Sequence, residues 1–166
     1  MYKVSINIAT IIVVTVIATT SVFAAGNTVK PDKQNWSFSG LFGTFDRGAL
    51  QRGFQVYNEV CAACHSARLL YYRNLKDIGF SEAQVKTIAA SKEVTDGPNA
   101  EGEMFQRPAR LSDRLVKPFP NDEAARAGNN GALPPDLTLM TKARVGGADY
   151  LHALLVGYKP VPKNMK

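Results

Sequence analysis

The sequence holds few of the residues that usually carry chemistry: two cysteines, two histidines and one tryptophan in 166 residues. Its 20 basic and 14 acidic side chains give a net charge of +6, yet the basic residues gather in little more than pairs. That scatter excludes a nucleic-acid-binding arm and leaves the basic balance as a solvated surface. Beyond residue 25, charge, Gly or Pro breaks every apolar stretch before it is long enough to span a bilayer. No segment alternates apolar and polar residues over a strand's length, and none repeats, so neither a sheet-rich fold nor a solenoid is expected. What remains, 45% hydrophobic and 20% charged, is a globular composition long enough for one domain and a targeting segment.

The targeting segment is residues 1–24. Lys3 supplies a positive start, Ile6–Val22 is almost wholly apolar, and Val22-Phe23-Ala24 places small or aliphatic residues where a signal peptidase reads them. An uncleaved anchor is the competing reading, because the apolar stretch is about 17–20 residues long. Asn7 and several threonines dilute it, and the polar stretch Gly26–Gln34 follows without flanking basic residues, which favours a cleaved signal. Both readings export the rest of the chain. Cleavage after Ala24 removes Lys3 and leaves 142 residues with 19 basic and 14 acidic side chains, a net +5.

After an N-terminal arm at 25–45, polar and extended at first, Trp36, Phe38, Leu41, Phe42 and Phe45 read as a loop laying aromatic side chains on a core. Asp46 is placed to cap a helix in which Leu50, Phe54, Tyr57 and Cys61 share one face. Leu69, Leu70, Tyr72 and Leu75 suggest a short second helix ending near Gly79. Ser81 to Gln84 forms a capping box for a third, with Val85, Ile88 and Ala89 as its buried stripe. Glu93–Pro120, rich in Gly, Pro and charge, reads as a long surface loop. Asn121–Ala127 makes one or two helical turns. Asp149 is expected to cap a last helix with Tyr150, Leu151, Leu154, Leu155 and Tyr158 as its apolar stripe. The fold class is mainly α: helices and long loops wrapped around one flat, apolar cofactor.

That cofactor is read from Cys61-Ala62-Ala63-Cys64-His65. C-x-x-C-H is the attachment signature of c-type haem. Two thiols three positions apart on a helical turn face the same way and add across the vinyl groups of neighbouring pyrroles. The histidine that follows is swung beneath the ring, where one nitrogen reaches the iron. Its other nitrogen is expected on a backbone carbonyl, which fixes tautomer and orientation. Three other readings are weaker. A thioredoxin-like C-x-x-C follows a strand, whereas a helical pattern precedes this one. A disulfide across three residues closes a strained, tiny loop. A zinc site needs a fourth ligand, and only His152 is obvious. A thiol oxidoreductase would be colourless, which a haem-stained gel distinguishes. For the sixth position on the iron, Met104, Met140, Met165 and His152 are candidates. Met104 lies in a charged loop, Met140 reads as core, Met165 is near the end, and His152 sits off its helix's apolar stripe toward solvent. None of the four is singled out.

The chain resembles the cytochrome c1 family. Trp36-Ser37-Phe38 through Phe42-Gly43-Thr44-Phe45-Asp46 is similar to that family's start, and Gln51-Arg52-Gly53-Phe54-Gln55-Val56-Tyr57 leads similarly into Val60-Cys61-Ala62-Ala63-Cys64-His65-Ser66. A second block, Asn129-Asn130-Gly131-Ala132-Leu133-Pro134-Pro135-Asp136-Leu137, continues through Lys142-Ala143-Arg144 and Gly146-Gly147-Ala148-Asp149-Tyr150 to Gly157-Tyr158. The resemblance covers about residues 36–160 and extends well past the haem motif.

The resemblance implies a haem domain over residues 46–166, with one covalent haem c on Cys61 and Cys64 and with His65 as the metal ligand. It implies that Pro134 and Pro135 pack on the proximal side and offer His65 a carbonyl, and that Arg144 and Tyr150 bind the propionates. A guanidinium suits a propionate beside low-dielectric haem. The implied function is electron transfer as the c1 subunit of a respiratory or photosynthetic quinol–cytochrome c reductase. The electron comes from the Rieske iron–sulfur protein and goes to cytochrome c. The subunit sits with cytochrome b in a membrane-associated complex, on the periplasmic face of the inner membrane. It is not an autonomous enzyme, and no catalytic side chain is nominated. A free periplasmic c-type cytochrome is the alternative, separated by co-purification with a cytochrome b. Members of the family continue into a segment with the axial methionine and then a C-terminal membrane helix. The chain stops at Lys166, so it is read as C-terminally incomplete. Docking of basic cytochromes c is ascribed to acidic surface on this family. This portion is basic, which leaves the acidity to the remainder or implies a different partner.

Overall fold

Three polar side chains start three helices. In the computed structural model, which describes residues 30–163 and 165, the Asp46 carboxylate accepts from Ala49 N–H and opens α1, Arg47–Glu59. Leu50, Phe54 and Tyr57 lie along its half-buried side, and Cys61, also half-buried, follows in the next turn. Ser81 and Gln84 exchange side-chain-to-backbone hydrogen bonds in the expected capping box at the head of α2, Glu82–Ala90. Val85 and Ala89 are fully buried beneath it. Asn121 accepts from Ala124 N–H to begin α3, Asp122–Gly128. Two further helices close the chain, α4 at Met140–Ala143 and α5 at Gly147–Val156. Single 3₁₀ turns occupy Cys61–Ala63 and Tyr72–Lys76. The described residues are mainly helical, and none of their helices is long and apolar enough to cross a membrane. The expected signal peptide at 1–24 and the first residues of the arm lie outside the described residues.

The stretch Glu93–Pro120 differs from expectation. It contains an antiparallel hairpin of β1, Glu93–Asp96, and β2, Phe105–Pro108, paired from Glu93–Pro108 to Asp96–Phe105. Asn99 shapes the connection by accepting from the N–H groups of Glu101 and Glu103. Arg107 fastens the hairpin to the next turn. Its guanidinium pairs with Asp96 and, through two hydrogen bonds of 2.7 and 3.1 Å, with Asp113. Those pairings hold both carboxyls below their usual range and raise Arg107 above its own. Four-residue strands carrying Glu, Asp, Gln and Arg show no apolar alternation long enough to register.

Four more expectations are corrected. The second helix is only the 3₁₀ turn Tyr72–Lys76; Tyr72 and Leu75 are buried, while Leu69 and Leu70 stay exposed. Asp149 does not cap the last helix. Gly146 stands at that position with φ +92, where a Cβ would also lie 2.9 Å from Pro31 Cγ. Asp149 instead accepts from Gln34 N–H and from the Trp36 indole. The expected apolar stripe of α5 is not buried: Leu154, Leu155 and Tyr158 are exposed. The aromatic loop is divided too. Trp36, Phe38 and Phe45 stack on one another, whereas Leu41 and Phe42 point to solvent.

The core is small. Ala67, Tyr72, Leu75, Val85, Ala89, Ala109 and Leu115 form it, with Phe54, Tyr57, Phe80 and Ile88 packed at its edge. It joins α1, α2 and the hairpin around the segment that follows His65.

Candidate haem-attachment site

Val60 ends α1, and the chain tightens into a 3₁₀ turn. Cys61 O accepts from both Cys64 N–H, at 3.1 Å, and His65 N–H, at 2.8 Å, so the five motif residues form one compact turn. Both cysteines are unbridged; Cys61 is half-buried and Cys64 exposed.

A distant segment lies along the residues after the motif. The Pro135 carbonyl oxygen is 2.9 Å from His65 Nδ1. A carbonyl only accepts, so Nδ1 carries the proton and Nε2 is left with its lone pair for a metal. Leu137 N–H donates to Ser66 O at 2.8 Å, and Leu69 N–H to Thr138 Oγ1 at 3.3 Å. Between them, Asp136 accepts from Ser66 Oγ and Arg68 N–H, each at 2.8 Å, and from Thr138 N–H at 3.0 Å. Burial alone would push the Asp136 carboxyl up, but these hydrogen bonds outweigh it and hold the group at about 2. Tyr57 OH donates to His65 O at 3.4 Å. Burial, and next the Asp136 charge, push this phenol up to about 12, so it stays a neutral donor.

A second segment clamps the following residues. Leu115 N–H donates to Leu70 O, Tyr72 N–H to Asp113 O and Arg73 N–H to Leu111 O, while Arg114 Nη1 donates to Arg68 O. A cleft of about 80 Å³ runs past Cys64 between Ser66, Phe119, Leu133 and Pro134. Another, of about 190 Å³, is lined by Phe54, Tyr57, Ala62, Tyr72 and Leu115. Two unbridged thiols and a directed imidazole nitrogen, beside clefts whose walls mix apolar residues with Lys117, Asn121 and Asp122, form a donor set that fits a haem bearing two vinyl groups and charged propionates.

Cys61, Cys64, His65, Pro134 and Pro135 thus come together. No hydrogen bond among the described residues joins Arg144 or Tyr150 to the group. Arg144 is exposed, donates to Ala143 O and pairs with no carboxylate among the described residues; Tyr150 is half-buried in the first turn of α5. Of the sixth-position candidates, Met140 is buried as core, and Met104 and Met165 are exposed. His152 is half-buried rather than solvated, edge-on to Trp36 at 6.0 Å. Sequence reasoning gave no role to Asp136, Ser66 or Thr138. Asp136 sits inside a run that the resemblance quotes, but Ser66 and Arg68, which it joins to that run, lie about seventy residues earlier, where no spacing rule reaches.

Comparison with known proteins bears on the whole described unit. The profile of the cytochrome C1 family matches residues 36–166. Cytochrome c1 of Rhodospirillum rubrum is 52% identical over 126 residues, 76% of this chain and 46% of that protein. Cytochrome c1-2, heme protein, mitochondrial, of Solanum tuberosum is 51% identical over 127 residues, covering 76% of this chain and 49% of its own. The cytochrome b-c1 complex catalytic subunit, mitochondrial, of Candida albicans is 46% identical over 139 residues, 84% of this chain and 48% of the relative. The chain spans about half the length of the relatives it matches. With the pattern running from Trp36 to Lys166 through both the attachment turn and the segment that closes on it, the chain belongs to the cytochrome c1 family.

Proposed function

We propose that the chain binds one haem c covalently through Cys61 and Cys64, with His65 as an axial ligand. In this reading it is the haem-bearing part of the c1 subunit of a quinol–cytochrome c reductase. The observation that carries the proposal is the pairing of His65 Nδ1 with the Pro135 carbonyl beside two free thiols on one turn. Bound there, the haem supplies a one-electron iron couple tuned by its axial ligand and surroundings. The chain supplies orientation. The Pro135 carbonyl fixes the imidazole tautomer, Tyr57 holds the backbone of His65, and Pro134 lines the cleft past Cys64. Arg144, without a carboxylate partner among the described residues, is available to a propionate, and Tyr150 is the second propionate donor.

The electron donor in this reading is a Rieske iron–sulfur protein and the acceptor a cytochrome c, with cytochrome b in the same membrane-bound complex. The domain lies on the periplasmic side, delivered by a signal peptide at 1–24, with the arm at 25–45 leading into the haem domain at 46–166. No acid, base or nucleophile is asked of this chain.

The test is covalent attachment. Cys61→Ala or Cys64→Ala alone weakens it, and the double variant loses haem on a denaturing gel stained for haem peroxidase activity. A double variant that keeps its stain through denaturation overturns the proposal.

A further inference from the structure

We infer that Asp136 is the positioning residue for the axial histidine, binding the Pro134–Thr138 segment to Ser66 and Arg68 so that the Pro135 carbonyl meets His65 Nδ1. The inference rests on the haem reading above. Two successive prolines offer carbonyls but no N–H groups. The segment therefore cannot grip the attachment turn with backbone donors where the grip is needed. Leu137 N–H, on Ser66 O, is one backbone tie. Thr138 Oγ1 accepts from Leu69 N–H farther along, at a longer 3.3 Å. The Asp136 carboxylate makes the two short side-chain ties, with Oδ2 on both Ser66 Oγ and Arg68 N–H and Oδ1 turned back to Thr138 N–H. One oxygen holds the turn and the other holds its own segment, so the carboxylate fixes the distance between them. Pro135 precedes it directly, and Ser66 directly follows His65. A shift at Asp136 therefore moves the carbonyl relative to the imidazole it accepts from.

The carboxylate also remains ionised across the physiological range, since its hydrogen bonds hold it at about 2. A fixed anion on the histidine side favours the more positive, oxidised iron, so removing its charge raises the midpoint potential. A purely structural role predicts weaker folding only. A positioning role predicts, in addition, an altered iron spectrum in the protein that does fold.

The experiment uses the full chain with haem attached, as the unchanged protein and as Asp136→Asn, Asp136→Ala and Ser66→Ala. Ferric paramagnetic resonance reads the orientation of the axial imidazole through its largest g value, and redox titration reads the midpoint. Asp136→Asn is expected to shift the g value and raise the potential. Asp136→Ala is expected to broaden the resonance into several histidine orientations. Ser66→Ala keeps the charge but loses one hydrogen bond, and is expected to shift the g value with little change in potential. Haem-loaded Asp136 variants with the g value and potential of the unchanged protein overturn the inference. If the Asp136 variants do not accumulate with haem, Ser66→Ala decides: a shifted g value supports the positioning role and an unshifted one overturns it. An unchanged chain that carries no covalent haem overturns the haem reading itself, and the inference with it.

Discussion

Acid should loosen the attachment site through one carboxylate. Burial works to raise the Asp136 carboxyl, but hydrogen bonds from Arg68, Thr138 and Ser66 prevail and hold it at about 2, against an ordinary 3.8. The folded chain therefore binds this proton less readily than the unfolded chain does. The resulting stability is fully present above about pH 3.8 and is lost as pH falls through about 2. The gap corresponds to about 2 kcal/mol at 1.36 kcal/mol per pH unit. Asp136 is only half-buried, so solvent screening brings the expected figure to about 1–2 kcal/mol. The assay is urea unfolding of the haem-loaded chain and of Asp136→Asn at about pH 5.5 and about pH 2.5. The fluorescence of Trp36, the one tryptophan of the chain, follows the transition. The variant should be weaker by about 1–2 kcal/mol at the higher pH, and the gap should shrink to about a third of that at the lower one, where the unfolded carboxyl is protonated and the folded one is approaching its own value of about 2. Acid effects on other groups are common to both proteins and cancel in the difference. A gap of the same size at both pH values would refute the reasoning, because the carboxylate's charge would then contribute nothing.

Two further outcomes concern the scaffold. Val85→Ala removes two methyl groups from the larger of the two fully buried side chains of α2. It should cost about 2–3 kcal/mol in urea unfolding, and a loss under about 1 kcal/mol would mean that α2 settles into the gap. Gly53→Ala places a methyl on the exposed side of α1, where nothing lies within 4 Å. It should stabilise by about 0.5–1 kcal/mol, and a fall in Tm would reveal a packing neighbour on that face.

The features legible in the sequence are those set by neighbours. Asp46 before a 3.6-residue apolar rhythm, and Ser81 three residues before Gln84, act over one helical turn, and both caps form. Asp149 had the same local pattern but was claimed by Gln34 and Trp36, more than 110 residues earlier, leaving Gly146 to begin the helix. The hairpin depends on Asn99 folding back on Glu101 and Glu103 and on Arg107 joining two carboxylates, neither of which leaves an apolar alternation to read. At the site, Cys61, Cys64 and His65 announce themselves by spacing. Pro134 and Pro135 entered through family resemblance alone, since nothing in a Pro-Pro pair names its partner. Asp136 passed without a role for the same reason: two of its three partners, Ser66 and Arg68, are chosen by the fold, not by distance along the chain.

The clamp on the attachment turn also has an order in time. Cys61 and Cys64 lie about seventy residues ahead of the segment that closes over their histidine, and about fifty ahead of the strap at Leu111–Leu115. A chain made from its N-terminus therefore presents both thiols while each closing segment is still to come. The local part of the site, from Asp46 to His65, is ready first, and the orientation of the imidazole is decided last. Thiol chemistry and histidine alignment are thus separable stages. The first needs only a short stretch of chain that is accessible from every side. The second waits for Pro135 to arrive and accept from His65 Nδ1.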